Sequence, residues 1–261
     1  PPRSTLFPYT TLFRSVTNWK SKARPATGYN VTTAKTLYVI NPNASVAVTR
    51  GIEQALEPLS VFGTPIRCMT NPDGPQGIES QRQADLTIPQ TLAMADNVED
   101  TAAAYVIACF GDPGLHALRD QTPLPVVGIQ EAGVLQALSL GQRFGVIAIL
   151  PAPIPRHLRA FGAMGVTDRL AGDRALGLGV ADLAREDTTR AAMIRTAQTL
   201  RDVDGADVLV MGCAGMARYR RVLEEAVGLP VVEPCQAATA LALGQIAVQQ
   251  TRKPESAERP S

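Results

Sequence analysis

Two of the four cysteines occupy matched places in the chain. Cys109 closes the apolar run YVIAC and Cys213 closes VLVMGC, and each is followed by a glycine two residues on and then by a helical stretch. Residues 104–138 can be laid over residues 206–243 so that Cys109 falls on Cys213, an offset of 104. Pro125-Val126-Val127 then falls on Pro230-Val231-Val232 at an offset of 105, so one insertion reconciles the two copies. In an open parallel sheet, ligands bind beyond the carboxyl ends of the strands. A thiol there faces the N-terminus of the next helix, whose free N–H groups and dipole are expected to lower its pKa. Two halves packed face to face would present Cys109 and Cys213 to one substrate from opposite sides, with sulfurs roughly 7–9 Å apart for near-attack contact on both faces. Such a pair can remove a proton α to a carbonyl and return one on the other face, without a cofactor. The alternative is two ordinary buried cysteines, since free Cys is among the most buried residue types; the matched positions weigh against it. Cys68 and Cys235 have no such pairing and read as core or rim residues.

Neighbouring polar groups are fewer. Asn41, Asn43 and Ser45 in INPNAS can cap a helix starting near Val46, and Asn41 and Asn43 can equally donate to a substrate carbonyl. GDPG at 111–114 lacks the phosphate-loop pattern, so Asp112 and Pro113 read as N-cap and first residue of the following helix. His116 and His157 have no ligand spacing around them and read as surface or core histidines.

The elements that must hold these residues follow from hydrophobic patterning. Strands are expected at Thr36–Ile40, Ser60–Arg67, Ala104–Cys109, Pro125–Ile129, Phe144–Ile149, Asp207–Gly212 and Pro230–Val232. Helices are expected at Val46–Leu59, Gln81–Ala95, Thr188–Arg201 and Gln236–Gln249. Strand–helix alternation with an internal repeat implies an α/β fold of two pseudosymmetric parallel-sheet domains with the active site in the cleft between them. Residues 35–128 plus 236–250 are expected to form the first domain and 129–235 the second. The opening PPRSTLFPYTTLFRS carries TLF twice and resembles translated sequencing-adapter read-through, so residues 1–34 read as a disordered leader foreign to the native chain. Residues 251–261 are charged and Pro-bearing and read as a disordered tail.

Of the 261 residues, 45% are hydrophobic and 19% charged, which excludes disorder for the bulk of the chain. The net charge of +1 gives no footprint for nucleic acid, and no apolar run reaches membrane-spanning length. Four scattered cysteines and two histidines suit neither a disulfide framework nor a zinc site, so the reduced cytoplasm is the expected compartment.

VINPNAS, NPDGPQGIES, ACFGDPGL, PVVGIQEA, LGQRFGVI and DVLVMGCAGM together resemble the aspartate/glutamate/hydantoin racemase superfamily, most closely its hydantoin and allantoin racemases. The likeness runs from about Lys35 to Gln249. It implies an isomerase with no metal and no cofactor, in which Cys109 and Cys213 are the catalytic acid/base pair. Asn41 and Asn43 then match the substrate-contacting loop, and the backbone N–H groups of Phe110, Gly111, Ala214 and Gly215 match oxyanion donors. It also implies a homo-oligomer and a small-molecule partner, a hydantoin or similar ureide. One departure is plain: the segment after LGQRF normally continues into Ser/Thr, whereas here it carries Ala148 and Ile149. Amino-acid racemisation, maleate isomerisation, malonate decarboxylation and non-catalytic binding of a small molecule on the same scaffold stay open at this point.

Overall fold

The computed structural model describes residues 34–251, so most of the expected leader and tail lies outside the described residues. The first half runs β1 (Thr36–Asn41), α1 (Val46–Leu56), β2 (Ile66–Thr70), α2 (Gln81–Leu86), α3 (Ile88–Asp96), β3 (Ala102–Ile107), α4 (Leu115–Gln121), β4 (Val126–Gly128) and α5 (Ile129–Leu140). The second runs β5 (Phe144–Ala148), α6 (Ile154–Ala163), β6 (Leu170–Ala175), α7 (Glu186–Asp202), β7 (Val208–Met211), α8 (Arg220–Val227), β8 (Val231–Val232) and α9 (Pro234–Thr251). Each half builds a four-stranded parallel sheet, in the orders β2-β1-β3-β4 and β6-β5-β7-β8. The repeat seen in the sequence is therefore a repeat of topology. β1, β3, β5 and β7 occupy the central positions, and they are the near-continuous apolar runs that strands covered on both faces require.

The last helix of each half crosses to the neighbouring sheet. α5 packs on β5, β7 and β8, whereas α9 returns to β1, β3 and β4, and the two helices pack on each other. Both are apolar around most of their circumference, as a helix covered by a sheet and a second helix must be. The main core spans both halves, with Val39, Val106, Phe144, Val146 and Leu209 at its centre; Phe144 and Phe161 meet edge to face at 5.4 Å.

Three expectations need correction. Ser60–Arg67 is not one strand: residues 57–62 form a 3-10 turn that leaves Val61 and Phe62 exposed, Gly63 turns the chain at φ +79°, and β2 begins only at Ile66. The helix expected over Gln81–Ala95 breaks at Thr87, two residues before Pro89, which lacks the N–H to continue it. The edge strand β6 was absent from the expected set, because LAGDRA is half-buried and carries Asp173 and Arg174 in place of an apolar run.

Candidate active site

Cys109 and Cys213 each stand two residues beyond the end of their strand, β3 and β7, and both line one narrow cleft at the carboxyl ends of the two sheets. Gly212 is what lets the chain turn there. A Cβ on it would fall 2.7 Å from the Ile147 carbonyl oxygen, so only glycine permits that close passage. The remaining open space is about 30 Å³, the share of a single water, so the cleft must widen to take a ring-sized substrate.

The other expected residues divide into those that reach the cleft and those that support it. Asn43, Phe110 and Ala214 line it. Asn41 is fully buried behind it, with Nδ2 donating to Thr49 Oγ1 at 3.0 Å and to Asn43 Oδ1 at 3.1 Å, while its Oδ1 accepts the Asn43 N–H. Asn43 Oδ1 also accepts the Ser45 N–H at 2.9 Å, which leaves its Nδ2 without a partner among the described residues. Ser45 caps α1 by accepting the Val48 N–H. Gly111 and Gly215 are partly exposed and do not line the cleft: Gly111 packs against Arg156, and the Gly215 N–H acts on the Cys213 sulfur.

Asp112 does not cap the helix that follows it. α4 starts at Leu115 after Gly114, and Asp112, at φ +46°, turns its carboxylate to α5, accepting the N–H groups of Gln130 at 2.8 Å and Glu131 at 2.9 Å. In the second half Glu233 does the same for α9, accepting from Cys235 and Gln236. Each half thus spends one buried carboxylate on the helix that begins beside the cysteine loop.

Arg156 and His157 are the cleft residues the sequence reading did not assign. Both sit on the first turn of α6, which starts at the carboxyl end of β5. His157 is a buried histidine, as expected, but it also lines the cleft. Its Nδ1 lies 2.8 Å from Asp173 Oδ2, and its ring meets Phe110 edge to face at 4.9 Å. The available signal was the pair Pro153 and Pro155, which start a helix just past a central strand. Val48, Ile78, Ile149 and Val180 complete an apolar wall.

The thiols differ from their sequence expectation. Burial pushes the Cys109 thiol up to about 12; the Arg156 guanidinium pulls it down, and Cys213 and Asp112 add to the rise. Burial likewise pushes Cys213 up to about 11, against the pull of the Gly215 N–H and with a further upward push from Glu79. A helix-end N–H acts in the expected direction at Cys213 only, since the helix after Cys109 does not begin until Leu115, and at both thiols desolvation wins. Cys68, half-buried, and Cys235, fully buried, belong to the core as expected. Among the described residues there is no cluster of three or more His, Cys, Asp or Glu placed to hold a metal, and no helix long and apolar enough to cross a membrane.

Comparison with known proteins agrees with this architecture. The family model for Asp/Glu/Hydantoin racemase matches residues 37–242. The chain is 34% identical to a hydantoin racemase of Paenarthrobacter aurescens over 232 residues, covering 86% of this chain and 97% of that one. It is 36% identical to a hydantoin racemase of Pseudomonas sp. strain NS671 over 197 residues, covering 75% and 79%. Among solved structures, the allantoin racemase of Pseudomonas fluorescens superposes with a TM-score of 0.79 at 26% identity, covering 82% of this chain and 92% of that one. The allantoin racemase from Klebsiella pneumoniae superposes at 0.76 and 28% identity, covering 82% and 89%. The chain belongs to the Asp/Glu/hydantoin racemase family.

Proposed function

We propose that this protein is a racemase, hence an isomerase, that exchanges the C5 proton of a 5-substituted hydantoin or related cyclic ureide between Cys109 and Cys213, with no cofactor. The observation that carries the reading is the convergence of two topologically equivalent cysteines on one cleft. One cysteine enters as thiolate and takes the C5 proton. The C–H electron pair moves into the adjacent carbonyl to give an enolate, and the other thiol returns a proton to the opposite face. The pair begins and ends with one proton, so neither metal nor redox partner is needed to balance the step. Burial makes the thiolate scarce, and by the same token a strong base once formed. The backbone N–H groups of Phe110 and Ala214, at the cleft wall, are candidate donors to the enolate oxygen.

The lining favours a ring over a free amino acid. No carboxylate among the described lining residues is available for an α-ammonium group. The apolar wall of Val48, Ile78, Ile149 and Val180 suits an alkyl or aryl substituent better than a ureido group, which would need hydrogen-bond partners. The division into a domain of residues 35–128 plus 236–250 and one of 129–235, with α5 and α9 exchanged between sheets, is part of the same reading. The test is incubation of single enantiomers of 5-benzylhydantoin, 5-isopropylhydantoin, allantoin, aspartate and glutamate in deuterated water, followed on a chiral column. Racemisation of the hydantoins with deuterium at C5 is expected. Turnover of the amino acids alone would overturn the substrate class.

A further inference from the structure

Arg156 comes from the second half but braces the first. Its Nη2 donates to the Phe110 carbonyl and its Nη1 to the Ser80 carbonyl, both at 3.2 Å. The residue is 8% exposed, and its Nε–H is buried without a hydrogen-bond partner among the described residues. Gly111 makes room for it: a Cβ there would stand 2.5 Å from Nε and 3.1 Å from Cζ. A planar fork fixed at two of its nitrogens, with the third N–H buried and unpartnered, is a preorganised donor, and only arginine offers that geometry.

We propose that Arg156 donates its Nε–H to the oxygen of the carbonyl conjugated with the reacting carbon, stabilising the enolate formed between Cys109 and Cys213. The assignment rests on the racemase reading above and adds a residue to it. Cleft position supports it, since Arg156 and Cys109 line the same cleft. Its charge also opposes the effect of burial on the Cys109 thiol. Substrates are then expected to require an unblocked carbonyl next to the stereocentre, and a deprotonated imide is favoured over a cationic ring.

The test uses Arg156→Gln and Arg156→Lys in the full chain, with thermal midpoints measured alongside kinetics on whichever hydantoin the wild-type protein racemises. For Arg156→Gln, kcat should fall about 100- to 1000-fold while KM moves by no more than about fivefold. Deuterium wash-in should fall equally on both enantiomers, because both half-reactions share one enolate. Iodoacetamide alkylation of Cys109, but not of Cys213, should move to higher pH. Arg156→Lys, which keeps the charge and loses the fork, should leave Cys109 alkylation near wild type and still lower kcat at least tenfold; it carries the test if the Gln variant does not fold. A kcat within threefold of wild type in either folded variant, or a rise in KM alone, overturns the inference and leaves the racemase reading standing. A wild-type protein inert on every hydantoin overturns both.

Discussion

Glu79 Oε1 accepts the backbone N–H of Val180 at 2.8 Å, so a loop of the first half is tied to a loop of the second beside the cleft. Ile78 and Val180, the neighbours of this bond, are both buried and both line the cleft. The open space beside it is only about 30 Å³, so the tie holds the empty cleft narrow and a bound ring needs it to yield. Because the tie must break on binding, Glu79→Ala is expected to lower KM about tenfold, the scale of one charge-assisted hydrogen bond to a backbone amide. Because Glu79 also holds the Cys213 thiol up, its removal should move Cys213 alkylation to lower pH. A KM unchanged or raised would contradict the closing role.

The thiols set the pH dependence of the reaction. With Cys213 raised to about 11 and Cys109 to about 12, the singly deprotonated pair is a minor species at neutrality and gains about tenfold per pH unit. The expected profile of log kcat/KM is a line of slope near +1 from pH 7 to pH 10, because kcat/KM reports the free enzyme. A plateau by pH 8 would mean that a thiol is acidified after all.

Asp112 gives a stability prediction of definite sign. Burial raises its carboxyl to about 7, against the pull of the Gln130 and Glu131 N–H groups. Between roughly pH 4 and pH 7 the unfolded chain has then lost a proton that the folded one still holds, so Asp112 makes stability fall as pH rises through that window. Asp112→Ala should cost about 1–2 kcal/mol from the lost cap of α5. It should also flatten the fall between pH 4 and 7. Urea unfolding of both proteins across that range is the check; equal slopes would assign the fall to other groups.

The central strands and the two cysteines were legible because their signals are local. Val/Ile runs such as LYVIN and VLVM must be buried on both faces, and Cys109 and Cys213 sit at the same distance past their strands. β6 was not legible, because its charges pair with residues outside the strand: Asp173 with His157, and Arg174 with Asp204. Asp112 was misread for a related reason. Its sequence context offered the helix next door, whereas the fold brings α5 to it from eighteen residues on. Arg156 was missed because Pro153 and Pro155 signal only that α6 starts past β5, not that its first turn reaches the other half's cysteine loop. The acidified thiols expected from helix ends failed in two ways: at Cys213 the Gly215 N–H is present but burial outweighs it, and at Cys109 no helix-end N–H among the described residues reaches the sulfur.

The two-cysteine exchange is tested most directly by Cys109→Ser and Cys213→Ser, each incubated with single enantiomers of a racemised hydantoin in deuterated water and read by NMR at C5. A serine hydroxyl is a far weaker base near neutral pH, so racemisation should fall by several orders of magnitude in both variants. Each remaining cysteine still faces one side of the ring, so one variant should wash deuterium into the L-enantiomer only and the other into the D-enantiomer only, each with little inversion. Racemisation near the wild-type rate in either folded variant, or exchange into the same enantiomer by both, would contradict the assignment of one thiol to each face.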